Sequence, residues 1–284
     1  MSESIVYALG ALLLYGLADF VYKRGATAGA QPHQFLMVQT WFFSSLAFIY
    51  GVATRTLAFG AGALWGAAAG VLVVFGYYNF AWSLRHGSVS TNATIFRLSF
   101  AVTASLAVLL LGEPLTAFKL AGLALALLAV WLLLGPAAPA KRGDDPQARA
   151  SLTRVLLATL AVGVASFTYK VGLLAGAAPI ALVVTQGAVA VTLSTAFAAR
   201  VDGGIRTTRA VLGHAPLAAV LLVCAFIFLA KGLQGGEASV IVPIAQMGFV
   251  VTALLGFAFL REPFTLRKGA GLAAALAALA SLAH

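Results

Sequence analysis

The sequence repeats one pattern twice. Residues 16–39 recur as residues 163–186 at a constant offset of 147 positions. Residues 100–123 recur as residues 249–272 at an offset of 149. The matched pairs are Gly16/Gly163, Phe20/Phe167, Tyr22/Tyr169, Lys23/Lys170, Pro32/Pro179, Gln39/Gln186, Phe100/Phe249, Thr103/Thr252, Glu113/Glu262, Pro114/Pro263, Thr116/Thr265, Lys119/Lys268 and Gly122/Gly271. Agreement at this density indicates an internal duplication, so the fold must be built from two copies of one unit.

The duplicated unit is far too apolar for a soluble domain. Hydrophobic residues make up 62% of the chain and charged residues only 9%, whereas soluble domains are about a quarter charged. Apolar runs of about 20 residues, enough to cross a hydrocarbon core about 30 Å thick, recur along the whole length. These features predict an all-α polytopic membrane protein. The net charge of +10 is carried between the apolar runs, which favours membrane lipid over nucleic acid as the partner.

Ten apolar stretches are candidate membrane spans. A polar, proline-rich segment at 136–150 separates five of them from the other five, which predicts a first repeat at 1–135 and a second at 151–284. Because five is odd, the second copy enters the membrane from the opposite side, as two inverted five-helix repeats. The predicted spans are 4–24, 34–53, 62–84, 90–111, 116–135, 151–173, 179–199, 211–234, 239–260 and 265–283.

The distribution of lysine and arginine predicts the orientation. Thirteen of these residues fall on the side of the interrepeat linker and four on the side of the termini. Basic residues are enriched on the cytoplasmic side, so we expect a cytoplasmic linker, outer termini and a location in a bacterial inner membrane.

The Glu-Pro pairs at 113–114 and 262–263 each stand between two apolar runs. Proline suits a first helical position and glutamate the positive end of a helix dipole. We therefore expect these pairs to shape the hairpins between spans four and five and between spans nine and ten.

The repeated five-span unit, closing on Glu-Pro, Thr and Gly-Leu, resembles the EamA branch of the drug/metabolite transporter superfamily. Within that branch the chain is similar to bacterial exporters of aromatic amino acids. The resemblance covers essentially the whole sequence. It implies a ten-helix basket whose central cavity is lined mainly by helices 1, 3, 4, 6, 8 and 9, with helices 5 and 10 outside. It also implies alternating access, in which the halves rock about a midplane site for a small-molecule substrate.

The end of the first span carries Asp19, Tyr22 and Lys23 on one helical face. One interpretation is an Asp19–Lys23 pair near the membrane edge, with Lys23 reaching the headgroups. The repeat has Ser166, Tyr169 and Lys170 at these places, so the lysine recurs where its acid does not. The Tyr-Lys pairs are therefore either interfacial anchors or substrate-binding residues.

The third span carries a dense aromatic set. Phe75, Tyr78 and Trp82 fall on one stripe, and Asn79 lies beside it. The stripe is typical of an interfacial aromatic belt. Alternatively, it forms a stacking wall for a planar substrate, with the Tyr78 hydroxyl and the Asn79 amide fixing the polar end.

The fourth span contains Arg97 about eight residues from its start. A cation at this depth needs a carboxylate, backbone carbonyls or water. It either anchors a neighbouring helix or binds a substrate carboxylate bidentately. Its repeat partner is Gln246. Weaker candidates for substrate contact are Asn92, Gln39, Gln186 and Lys231, and Pro243 is expected to kink or unwind the ninth span.

Few acids lie within the spans, and Asp19 is the main candidate for coupling to protons. Facilitated transport therefore fits better than proton antiport. No P-loop appears, so we expect no cofactor and no ATP-driven transport.

The rival functions are export of another metabolite or drug, such as a purine or a cation, on the same fold, and a non-transporting receptor or scaffold. A membrane enzyme would need a clustered nucleophile, base or metal set, and the sequence shows no such cluster. Gly122 and Gly271 allow close helix packing, either against a second subunit or against other helices of the same chain. The sequence therefore leaves the oligomeric state open.

Overall fold

The computed structural model describes residues 2–86, 92, 95–134, 146–259 and 265–283, which form helices joined by short turns, without a β-strand. The all-α prediction is confirmed for this part of the chain. A short 3₁₀ turn, Ala61–Ala63, precedes the third helix. The helices are α1 Glu3–Thr27, α2 Pro32–Ala53, α3 Leu64–His86, α4 Ser99–Leu111, α5 Ala117–Leu134, α6 Pro146–Leu174, α7 Pro179–Asp202, α8 Arg209–Gly235, α9 Ala238–Gln246, α10 Phe249–Phe259 and α11 Leu266–Leu282.

Helices lie at each of the stretches predicted to be spans, and the ninth is divided into α9 and α10. Among the described residues, seven stretches are long and apolar enough to cross a membrane. Ile95–Leu111 and Ala117–Leu133 are apolar but shorter. The membrane character of the chain therefore agrees with the sequence, while the full count of ten spans stays a prediction.

The repeated sequence around position 30 encodes a helix hairpin. Gly29 and Gly176 take left-handed φ values of 88° and 82°, where side chains are disfavoured. The N–H of the residue after each glycine donates to the carbonyl oxygen five positions earlier, at 3.0 Å in both halves. Such a bond closes a helix C-terminus. Pro32 and Pro179 then begin α2 and α7, where the missing N–H of proline costs nothing.

The two halves pack together through contacts that recur with the halves exchanged. Helix α1 packs along α8, and its repeat counterpart α6 packs along α3. Helix α2 contacts both α7 and α8, and α7 contacts both α2 and α3. Likewise α4 packs on α6, while α9 and α10 pack on α1, and the last helices of the halves, α5 and α11, pair with each other.

Two repeat-related crossings fix this packing. The hydroxyl of Thr103 donates to the carbonyl oxygen of Gly163 at 2.8 Å, and that of Thr252 donates to Gly16 at 3.0 Å. A Cβ atom at Gly16 or Gly163 would lie 2.4 or 2.7 Å from a carbonyl oxygen of the crossing helix. Only glycine permits such an approach, which explains why both copies keep it.

Both halves have an interruption at the same repeat position. The N–H groups of Leu98 and Met247 donate to carbonyl oxygens three residues earlier, at 3.0 and 3.1 Å, as in a 3₁₀ turn. The expected cause in the second half is Pro243, but the sequence of the first half has Thr94 at that position. The shared interruption therefore does not require proline, and it lies beside the glycine crossings.

Candidate functional site

An ion pair joins α1 to the chain at the first interruption. The guanidinium of Arg97 donates to a carboxylate oxygen of Asp19 on α1. The side chains are 23% and 30% exposed, so the pair is largely removed from the surface. The prediction that Arg97 meets a compensating partner is confirmed. Asp19 thus pairs across 78 positions of sequence, where a pair with Lys23 had been considered.

Three tyrosine side chains lie in the same region as Asp19. Tyr15, Tyr22 and Tyr77 lie within electrostatic range of Asp19, and Tyr77 also within range of Arg97. Phenol groups combine an apolar ring with one hydrogen-bonding hydroxyl. The surroundings of the ion pair are therefore aromatic, with a few polar contacts.

A small cavity adjoins this cluster between α2, α3, α7 and α8. Its volume is about 30 Å³, enough for one or two water molecules and far below the roughly 300–1,000 Å³ of a typical ligand pocket. It is lined by Leu36, Gln39, Thr40, Phe43, Val73, Val74, Tyr77, Gln186, Ala190, Leu222 and Phe226. Helices α2 and α7 thus supply much of the lining of this small cavity, and the set of helices that the resemblance implies around a central cavity stays a prediction.

The aromatic residues of α3 divide between different surroundings. Tyr77 lines the cavity, whereas Tyr78 and Trp82 pack against the guanidinium of Arg154, 5.7 and 4.3 Å from their ring centroids. Arg154 also donates to the side-chain oxygen of Asn79 at 3.2 Å. Phe75 is 46% exposed on the outside. The structure thus gathers Tyr78, Asn79 and Trp82 around Arg154 on α6, and their contact with substrate stays a prediction.

The two Tyr-Lys pairs have different surroundings in the two halves. Lys170 donates to the carbonyl oxygens of Leu233 and Gly236 at 2.9 and 2.6 Å, which closes the C-terminal end of α8. Tyr169 is 1% exposed, packs beside Phe226, and its hydroxyl has no partner in the described chain.

In the first half, Tyr22 packs on Phe35 of α2 with ring centroids 4.5 Å apart. Lys23 is exposed near the end of α1. The structure therefore brings Tyr22 towards the ion pair, while Lys23 and Lys170 lie at helix ends. Substrate contacts of these residues remain predictions.

Asn92 and Gln246 complete the predicted set. Asn92 is buried and donates to the Ser83 carbonyl at 2.7 Å and to the Ser151 hydroxyl at 2.9 Å, so it ties α3 to α6. Gln246 is half-buried at the end of α9, at the second interruption.

The termini-side ends of the helices are joined by a charge network that the sequence did not predict. Both carboxylate oxygens of Glu113 accept N–H bonds from the first turn of α9, from Ala238 at 2.7 Å and Ser239 at 2.8 Å. Lys119 forms an ion pair with Glu237. Glu113 therefore caps a helix of the other half, and Thr116 caps the following helix, α5. The cap is an additional role for Glu113, and the predicted role of the Glu-Pro pair in the hairpin between spans four and five stays a prediction; Glu262 lies outside the described residues.

The opposite ends also carry a contact between the halves. His33 and Gln34, at the start of α2, each donate to Asp202 at the end of α7, both at 2.8 Å. Polar contacts between the halves thus exist at both ends of the helices, on either side of the cavity. In the described part of the chain, no group of three His, Cys, Asp or Glu side chains is placed to bind a metal.

Apolar helices, a duplicated topology and polar contacts between the halves at both ends of the helices define a polytopic membrane protein built from two repeats. The family model of the EamA-like transporter family matches residues 3–135 and again residues 151–283. The chain belongs to the EamA-like transporter family, whose members are membrane transporters of small solutes and not enzymes.

One solved structure shares this fold, and one curated protein is similar in sequence over part of the chain. A crystal structure of another protein superposes with a TM-score of 0.82 over 99% of this chain and 96% of that chain, at 16% identity. An uncharacterised protein of Methanocaldococcus jannaschii is 35% identical over 68 residues, which are 24% of this chain and 50% of that protein. The match thus spans about half the length of that relative.

Proposed function

We propose that the protein is a facilitative secondary transporter that exports amino acids, aromatic ones included. The Asp19–Arg97 pair carries this proposal, because a guanidinium that holds one carboxylate inside the protein can exchange it for the carboxylate of a solute. Arg97 binds the solute carboxylate in place of Asp19, and the ring of the solute packs among aromatic side chains of α3. The binding roles of Tyr78, Asn79 and Trp82 belong to this proposal.

The architecture behind the proposal is a pair of inverted five-helix repeats, 1–135 and 151–284, joined by the linker 136–150. The repeat offsets, the exchanged packing of the halves and the matching interruptions support it. We place the ten spans in a bacterial inner membrane, with the linker in the cytoplasm.

Alternating access follows from the size of the cavity and the contacts at its two ends. This cavity of about 30 Å³ cannot hold an amino acid, so a solute binds in it only after the halves separate. Opening towards the termini separates Glu113 from α9, and opening towards the linker separates Asp202 from α2. Breaking the contacts at one end while keeping those at the other end gives two alternative states, each open to one side of the membrane.

A second candidate keeps the fold and changes the solute to another metabolite or a drug. A solute cation would have to displace Arg97 from Asp19, which argues against a dedicated cation exporter.

Transport through proteoliposomes tests the proposal. We expect saturable flux of labelled tryptophan and phenylalanine that does not depend on an imposed pH gradient, and at least a tenfold loss in Arg97→Leu. Arg55→Leu removes an equal charge at an exposed turn and is the control. Flux that depends strongly on the pH gradient would contradict facilitated transport and point to coupling at Asp19. No flux of either amino acid, or full flux in Arg97→Leu, would contradict the proposed substrate or site.

A further inference from the structure

The cavity lies where the two repeats meet. Four of its lining residues in the first half correspond to four in the second, at the offsets of 147 and 149 that define the duplication. The corresponding pairs are Gln39/Gln186, Phe43/Ala190, Val73/Leu222 and Tyr77/Phe226. The cavity is therefore built from equivalent surfaces of both halves, with one glutamine from each.

The side-chain oxygens of these two glutamines have no hydrogen-bond partner in the described chain. Gln39 is 7% exposed and Gln186 is 3% exposed. A buried amide oxygen without a partner costs about 1–3 kcal/mol. Two such groups on residues that line one cavity indicate that a hydrogen-bond donor reaches them when the site opens during function.

Neighbouring polar side chains on the same helices are paired across the α2–α7 contact. The Thr40 and Ser194 hydroxyls lie 2.6 Å apart, and the Trp41 indole donates to Thr195 at 2.8 Å. These bonds fix the backbones that carry the two glutamines. The unpartnered oxygens therefore do not result from a loose contact between the helices.

The other residues that line the cavity indicate which kind of hydrogen-bond donor fits there. Three aromatic rings, those of Phe43, Tyr77 and Phe226, face the cavity, and the Phe43 and Phe226 rings meet edge to face at 5.5 Å. Aromatic faces attract cations, and amide oxygens accept N–H bonds. None of the lining side chains carries a formal positive charge. Amide oxygens within an aromatic surround suit an ammonium group, which is about the size of the water molecules that the cavity can hold.

We propose that Gln39 and Gln186 together bind the primary ammonium group of the transported solute. This inference rests on the proposed function and deepens it. Tyr77 lies between the two parts of the site, because it lines the cavity and is within electrostatic range of Arg97. An α-amino acid then presents its carboxylate to Arg97 and its ammonium to the glutamine pair. The protein selects against solutes whose nitrogen carries no N–H.

The test compares phenylalanine with its N,N,N-trimethyl derivative. Both carry the same ring, carboxylate and charges, but the derivative has no N–H to donate. We expect wild-type protein in proteoliposomes to prefer phenylalanine at least about tenfold in competition for tryptophan flux, since hydrogen bonds to charged groups are the strong ones. Gln39→Leu and Gln186→Leu should each reduce this preference, and the double variant should abolish it. Gln234→Leu is the same substitution at an exposed position and should keep the preference for phenylalanine.

Several outcomes would overturn the inference. Wild-type protein that treats the two solutes alike would contradict it without any variant. A double variant that folds and retains the preference would show that the cavity holds water only. The proposed function fails separately, if wild-type protein transports neither tryptophan nor phenylalanine. Phenethylamine, which lacks the carboxylate, then tests the glutamine pair in a thermal-shift assay: stabilisation lost in the double variant supports the inference, and no stabilisation of wild-type protein contradicts it.

Discussion

The two interrupted helices have the same backbone and different charges. At Leu98 and Met247 the chain makes the same 3₁₀ turn, and Thr103 and Thr252 make the same bond to a glycine carbonyl. The first interruption carries the Asp19–Arg97 pair, whereas the second has Ser166 and Gln246 at the repeat positions of the two charged residues. The fold can therefore build this turn without charges, so the turn itself does not require the ion pair of the first half, and its role in solute binding is the proposal made above.

The largest effect on folding is expected at the glycine crossings, which are alike in the two halves. Gly16→Val should prevent folding, because even a Cβ atom would meet the Gly248 carbonyl oxygen at 2.4 Å and Val251 at 2.5 Å. Gly163→Val should do the same in the second half, where a Cβ atom would meet the backbone of α4 at 2.7 Å. The yield of monodisperse protein and its melting temperature measure the effect.

Gly213 on α8 offers the matched control. A Cβ atom added there would have no neighbour within 4 Å among the described residues, so Gly213→Val should fold. If Gly16→Val folded as well as this control, the crossing of α1 and α10 would not be as close as described.

A smaller effect is expected for the bond that joins the halves at the termini-side end. Glu113→Ala leaves the N–H groups of Ala238 and Ser239 without their acceptor, and should lower the free energy of unfolding by about 2 kcal/mol. Thr116→Ala removes a cap within one half and should cost about 1 kcal/mol. Thermal melts of both variants measure the difference, and a larger loss for Thr116→Ala would contradict the bridging role of Glu113.

The smallest effect is expected for the paired threonines. Thr103→Val and Thr252→Val each remove one hydroxyl bond to a glycine carbonyl, and each should cost about 1 kcal/mol. Equal losses in thermal melts would confirm that the two crossings are equivalent. A loss confined to one variant would show that the halves are held together unequally.

Much of this fold follows from the sequence, because helix location depends on local signals. Apolar runs locate the helices, and the repeated Gly and Pro residues near positions 30 and 177 mark the hairpins. The match between residues 100–123 and 249–272 also locates the equivalent glycine and threonine contacts in sequence, although not in space.

The site was harder to predict, since its contacts join distant positions. Arg97 was expected to need a partner, but nothing local identifies Asp19. Helices that are apolar on all sides do not show which face is turned inward, so the contribution of α2 and α7 to the small cavity has no signal in their hydrophobic pattern. Repeat-related polar residues such as Gln39 and Gln186 were the available signal. The cap that Glu113 forms was not predicted, because capping a helix of the other half leaves no pattern in its own neighbourhood.

A double-mutant cycle at the first interruption tests the central claim most directly. Asp19→Ser and Arg97→Gln copy the residues of the second half into the first. Each single variant should lose about 1–3 kcal/mol of stability, because it leaves a partly buried charge without its partner. The double variant should regain most of that stability, as Ser166 and Gln246 occupy the equivalent turn, yet transport tryptophan at least tenfold more slowly. A stable double variant with wild-type flux would contradict the assignment of the ion pair to solute binding.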